Sequence, residues 1–179
     1  MSRVVLIVPG WQNSGPGHWQ SLWEAKVKGA LRVEMPNWEF PRRPEWVEAL
    51  DDAVARAWRE TETEPVLVGH SLGCTTIVHW AKGARWPVRS ALLVAPADVD
   101  REDCPEPLRN FRPCPRRALP FPSILVASRD DPYAAPEASA ALATAWGSQL
   151  VMLDRAGHIN QAAGFGEWPR GEALLRDLM

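Results

Sequence analysis

Val66-Leu67-Val68-Gly69-His70-Ser71-Leu72-Gly73 is the stretch on which the fold turns. The apolar run 66–68 after Pro65 reads as a strand buried on both faces, and residues 75–83 continue it as a helix. A buried strand that passes through a tight, glycine-flanked turn into a helix is the building unit of parallel sheets. The rhythm extends in both directions. Upstream, the all-apolar run 4–8 ends in Pro9-Gly10 and reads as a strand. Residues 18–29 carry Trp19, Leu22, Trp23 and Val27 at helical spacing, with Gly29 as the stop, and 31–35 is a weak second strand. Residues 44–59 place Trp46, Val47, Leu50, Val54 and Trp58 on one face of an amphipathic helix. Downstream, strands are expected at 90–95, 124–128 and 149–153, and helices at 134–146 and 167–178. The pattern predicts a compact α/β fold: a mostly parallel six-stranded sheet, helices on both faces and no large cap domain.

Composition narrows the function classes. The 179 residues suit one domain over 1–179, and no linker, repeat or low-complexity tract divides them. Hydrophobic residues at 46% and charged residues at 23% exclude a disordered chain. Lys+Arg 20 against Asp+Glu 22 leaves a net charge of −2, so no broad footprint for nucleic acid or anionic membrane is expected. The run 4–8 is too short for a signal peptide or a membrane span, which points to the cytoplasm. Cys74, Cys104 and Cys114 form no CxxC pair and leave an odd thiol, in keeping with a reducing compartment. No heptad or exposed stripe speaks for assembly, so the oligomeric state is left open. Ten tryptophans against one tyrosine are expected mainly in the core, with one or two lining a pocket. The proline- and arginine-rich segment 100–122 lacks periodicity and is either a binding loop or a solvated polyproline excursion.

Gly69-His70-Ser71-Leu72-Gly73 fits the G-x-S-x-G nucleophile elbow, in which a serine projects from a sharp strand-to-helix turn. A serine hydroxyl needs a base to take its proton. Of four histidines, His158 in Ala156-Gly157-His158, just past the last strand, is placed for that role. His70 adjoins the serine and should point elsewhere, and His79 lies two turns into the helix as a packing or surface residue. The base needs an acid to fix its tautomer. Asp130-Asp131-Pro132 follows the fifth strand, and Asp131 is favoured because Asp-Pro opens a turn into a helix. Asp130 is then a capping or solvated residue, and Asp98 is the lesser candidate acid. The backbone N–H groups of Leu72 and Trp11 are the expected oxyanion donors, with Gln12 the fallback. Gln12 and His18 are candidate substrate contacts. Neither G-x-G-x-x-G nor a P-loop lysine is present, and no residues have metal-ligand spacing, so no cofactor and no metal is expected.

Longer stretches carry a family resemblance. Val8-Pro9-Gly10 with Gly17-His18-Trp19-Gln20, Asn37-Trp38-Glu39 with Pro44-Glu45-Trp46, and Gly69 to Cys74 resemble the small serine hydrolases related to retinoblastoma-binding protein nine, including the YdeN-like bacterial members. So do Leu119-Pro120-Phe121-Pro122-Ser123, Ser128-Arg129-Asp130-Asp131-Pro132-Tyr133, and Gly157-His158-Ile159-Asn160 with Gly164-Phe165-Gly166-Glu167-Trp168-Pro169. The elbow is shared by very many hydrolases, whereas the last pair of stretches is specific to this group. The resemblance implies a compact α/β-hydrolase fold and a triad of Ser71, Asp131 and His158. It also implies esterase-like activity on small acyl esters. The family's peptide-binding role through Leu-x-Cys-x-Glu does not carry over, because Glu102-Asp103-Cys104-Pro105-Glu106 has no leucine in the first position.

The leading expectation is a carboxylesterase that takes a small-molecule ester and works through an acyl-enzyme. The alternatives are an amide or peptide hydrolase using the same groups, and a non-catalytic interaction module on a hydrolase fold.

Overall fold

The computed structural model describes residues 3–179. Six strands form one sheet: β1 (Val5–Val8), β2 (Ala30–Arg32), β3 (Val66–His70), β4 (Ser90–Val94), β5 (Ser123–Ser128) and β6 (Gln149–Leu153). Their order is β2-β1-β3-β4-β5-β6, and every neighbouring pair is parallel. Four helices lie between them, α1 (Trp19–Lys26), α2 (Arg43–Thr61), α3 (Leu72–Ala81) and α4 (Pro136–Trp146), and α5 (Pro169–Leu178) follows β6. Proline occupies the first turn of α2, α4 and α5, where its missing N–H costs nothing and its fixed φ suits the helix.

The strands bury both faces because successive side chains point to opposite sides. Leu6, Val8, Leu67, Leu93 and Leu125 face one layer, against Trp46 and Leu50 of α2, Ile77 of α3 and Trp146 of α4. Val5, Ile7, Val68, Val94 and Val126 face the other, where Trp19 and Trp23 of α1 meet Trp168 and Leu175. Trp23 and Trp168 stack at 5.9 Å with their planes 14° apart. Six of the ten tryptophans are buried, so the core takes most of them.

Element boundaries shift for local reasons. His18 is the N-cap of α1 rather than its first residue, because its Nδ1 accepts the Gln20 N–H. The helix stops at Lys26, three residues before Gly29, whose φ of 84° makes the turn into β2. The second strand is Ala30–Arg32, not 31–35; the Val33 N–H still reaches the Ile7 carbonyl of β1 at 2.8 Å, and the Val33 and Met35 side chains pack into the core. Helix α3 begins at Leu72, three residues earlier than its apolar pattern suggested. Trp58 is only half-buried, so the inward face of α2 is completed by Ala55 and Ala57.

The segment 100–122 is packed rather than a solvated excursion. It contains a 3-10 turn, Glu106–Phe111, and buries Leu108, Phe111, Cys114 and Phe121. His79 of α3 donates from Nε2 to the Phe111 carbonyl at 2.8 Å, and the Arg112 guanidinium holds the carbonyls of Val99 and Arg101. All three cysteines are buried and unpaired. No helix among the described residues is long and apolar enough to cross a membrane.

The chain goes from β1 to β2 on one side and returns to β3 on the other. Such a reversal opens a crevice at the carboxyl ends of the strands, where open α/β sheets bind ligands.

Candidate active site

A cavity of about 240 Å³ lies at those carboxyl ends. The loop after β1 brings Gly10, Trp11 and Gln12 to it, and the β3–α3 turn brings His70 and Ser71. The loops after β4, β5 and β6 add Val99, Tyr133 and His158. Part of the wall comes from 100–122, through Arg101, Cys104, Pro105 and Leu108. His18 and Trp11 line the same space.

Ser71 sits between β3 and α3 with φ 54° and ψ −121°, a conformation that L residues avoid. The turn is fixed by the Ser71 N–H to the Val94 carbonyl at 3.0 Å and the Cys74 N–H to the Ser71 carbonyl at 3.0 Å. Strain is therefore carried by the serine itself. The flanking glycines serve a different need, since Gly73 lies against the ends of β1 with no room for a side chain. Gly10 is equally confined: a Cβ there would meet Ser71 Cβ at 2.9 Å. This close approach sets the loop that starts at Trp11 beside the first turn of α3. Leu72 is the first residue of α3, where an N–H has no helical partner, and the Trp11 N–H has none among the described residues. Gln12 is not a free backbone donor: its N–H is given to the Trp38 carbonyl at 3.2 Å and its side chain to Glu39 at 3.2 Å.

His158 Nδ1 lies 2.9 and 3.0 Å from the two carboxylate oxygens of Asp131. Because a carboxylate only accepts, Nδ1 carries a proton, and in the neutral ring Nε2 then keeps its lone pair. Asp131 is nearly sealed from solvent, with a side chain 2% exposed, and also accepts the Tyr133 N–H at 2.9 Å. The Tyr133 ring meets the His158 ring edge-on at 4.6 Å, and the Arg101 guanidinium lies over the Tyr133 ring at 5.6 Å. Ser71 Oγ makes no hydrogen bond to His158 among the described residues, although both line the cavity. Bonds of this kind are often long before substrate binds. Asp98 also reaches the cavity, but its carboxylate caps the Asp100 N–H at 3.1 Å and makes no hydrogen bond to His158.

Two side chains have placements that the sequence reading did not anticipate. His70 does not point away: its ring packs between those of His18 and His158, at 4.8 and 4.9 Å. Its Nε2 donates to the His158 carbonyl at 2.9 Å, and burial, reinforced by the nearby His158, holds its pKa well below the usual histidine value. Asp130 is exposed to solvent, as expected, but not idle: its Oδ1 accepts from Ser128 and from the backbone just before His158. No local pattern announces either role, since each partner is distant in sequence.

His18 is buried, its Nε2 has no hydrogen-bond partner, and burial together with Arg32 lowers its pKa to about 4. Unfolded histidine takes up a proton near pH 6.5, whereas folded His18 refuses it until about pH 4. The unfolded state then binds more protons, so stability falls as pH drops through that window. Urea midpoints measured from pH 7 to pH 5 should decline. His18→Asn, which retains a capping side chain, should flatten that decline; an unchanged slope would refute it.

Among the described residues no three His, Cys, Asp or Glu side chains are grouped to hold a metal ion. A family model described as serine hydrolase matches residues 5–177. The chain belongs to the serine hydrolase family. As a whole this serine hydrolase is similar to a YdeN-like hydrolase from Pectobacterium atrosepticum, at 29% identity and a TM-score of 0.84 over 99% of this chain and 90% of that one. The ydeN gene product of B. subtilis is 22% identical, with a TM-score of 0.76 over 99% and 98% of the two chains. Est1E from Butyrivibrio proteoclasticus, solved with ferulic acid bound, shares the fold at 13% identity and a TM-score of 0.73, over 99% and 89%. No curated protein matches the chain. The α/β-hydrolase fold of this serine hydrolase places the strained Ser71 turn and the His158–Asp131 pair at one end of the sheet.

Proposed function

We propose that the protein is a carboxylesterase acting on small acyl esters through an acyl-enzyme, with Ser71, His158 and Asp131 as its triad. The observation that carries this reading is the Asp131–His158 pair, with Nε2 left as the free base, in the same cavity as the strained Ser71. Ser71 Oγ attacks the ester carbonyl while His158 Nε2 takes its proton. The oxyanion is received by the N–H groups of Leu72 and Trp11. Collapse expels the alcohol, which takes the proton from His158, and a water activated by His158 then frees the acid. Asp131 holds the tautomer and stabilises the imidazolium throughout. Gln12 and His18 contact the substrate from the cavity wall.

Size supports a small acyl group. The cavity of about 240 Å³ lies below the ~300–1,000 Å³ typical of drug-sized ligands. Its apolar wall of Ala97, Val99 and Leu108 suits a short alkyl chain. The three unpaired thiols suit the cytoplasm.

A fluorophosphonate probe should label Ser71 in the folded protein, as located by peptide mass mapping. Among p-nitrophenyl esters, kcat/KM should be highest for acetate to butyrate and about tenfold lower or worse by decanoate. Absence of labelling would replace this reading with the non-catalytic interaction module, and efficient turnover of decanoate would overturn the short-chain assignment.

A further inference from the structure

Two adjacent carboxylates, Asp130 and Asp131, act on the same loop from different sides. A single oxygen of Asp130, Oδ1, accepts from Ser128 Oγ at 2.6 Å, from the Ala156 N–H at 3.0 Å and from the Gly157 N–H at 2.9 Å. Successive backbone N–H groups converging on one anionic oxygen form an anion-binding nest, here helped by Gly157 at φ 49°. The Ser128 hydroxyl and then the Gly157 N–H hold the Asp130 carboxyl below its ordinary pKa, so it is ionised wherever the enzyme is folded near neutrality. The second oxygen of Asp130 has no partner among the described residues.

The consequence lies in the order of residues. Asp131, one residue after this clasp, grips His158 Nδ1, one residue after Gly157. Beyond the β5–β6 ladder and the Arg129 N–H to the Leu153 carbonyl at 2.9 Å, these hydrogen bonds tie the acid loop to the base loop. Elsewhere the base loop is tied through the His158 carbonyl by His70 and through the Ile159 carbonyl by Trp19 Nε1 at 2.8 Å. Both of those contacts hold the far side of the histidine. On the acid side, the Ala156 and Gly157 N–H groups are bound by the Ser128 hydroxyl and Asp130 alone.

We propose that Asp130 is a positioning residue that sets the separation and alignment of His158 and Asp131. It touches no substrate. The inference rests on the triad reading above, and the test separates the two. Asp130→Ala should lower kcat for p-nitrophenyl acetate about tenfold to a hundredfold at temperatures where the variant is fully folded, with KM little changed. Asp130→Asn keeps the accepting Oδ1 and should restore most of the activity, because the other oxygen is unpartnered. The low-field proton resonance of His158 Nδ1–H should weaken or shift in Asp130→Ala and persist in Asp130→Asn. A merely structural role would lower the melting temperature and leave kcat and that resonance at wild-type values, which overturns the proposal. So would equal losses in the alanine and asparagine variants. If the wild type hydrolyses no ester, the functional reading falls, and the His158 resonance still decides whether Asp130 sets the pair.

Discussion

Replacing Ser71 by alanine is expected to lower kcat for p-nitrophenyl acetate by about 10⁴- to 10⁶-fold, leaving the circular dichroism spectrum intact. The size of the loss follows from what the hydroxyl does. Without Oγ no acyl-enzyme forms, and the His158–Asp131 pair has no nucleophile to deprotonate. What remains is the cavity with the proposed oxyanion donors, the Leu72 and Trp11 N–H groups, which would polarise a carbonyl but attack nothing. Ser71→Gly separates catalysis from folding more sharply. Ser71 holds φ 54° and ψ −121°, a region that glycine enters freely and serine does not. Glycine should therefore raise stability by about 1 kcal/mol or more while removing the same activity. Urea denaturation of wild type and both variants, beside their ester kinetics, is the measurement. Retained turnover in Ser71→Ala would move the nucleophile elsewhere, and a loss of stability in Ser71→Gly would show that the turn stores no strain.

Gly73→Ala should be the most destabilising single-methyl change in the turn, costing about 3 kcal/mol or more. A Cβ at Gly73 would overlap the Val8 carbonyl oxygen and come within 2.7 Å of the Pro9 oxygen. Both are backbone atoms at the end of a central strand, so nothing flexible can yield. Relief requires α3 to tilt off β1, which also carries Ser71 and the Leu72 N–H away from the Trp11 N–H. Stability and turnover should thus fall together. Gly83 is the matched control, since a Cβ there meets nothing within 4 Å. Gly83→Ala should stay within about 1 kcal/mol of wild type. Equal urea midpoints for the two variants would refute the close-approach explanation for Gly73.

Much of the architecture was legible in local pattern. Residues 149–153 form a strand with the expected bounds, and 124–128 and 90–95 differ from the structure by one residue each. Alternating runs of this kind report burial directly, because a strand covered on both faces must be apolar throughout. Departures came where a side chain or a turn overrode the pattern. His18 left its helix to cap it, and Gly69 and Gly73 drew attention to a turn whose strain belongs to Ser71. The segment 100–122 has no period, so its burial through Leu108 and Phe111 against α3 had no sequence signal.

By itself, the sequence determined the parallel α/β class, the serine at a strand-to-helix turn, and the chemical types at the ends of the later strands. It did so because backbone periodicity and the steric demands of a tight turn act over a few residues. The Asp-Pro turn favoured Asp131 over Asp130 as the partner of the imidazole, and only the tertiary structure decided what each of the two aspartates binds. Asp130 reaches the Ala156 and Gly157 N–H groups while Asp131 reaches His158 Nδ1, a difference of one residue. The same structure turned His70 into the cavity and built a wall from 100–122. Each of these depends on the parallel order β1-β3-β4-β5-β6, which gathers at one sheet end loops that lie tens of residues apart along the chain.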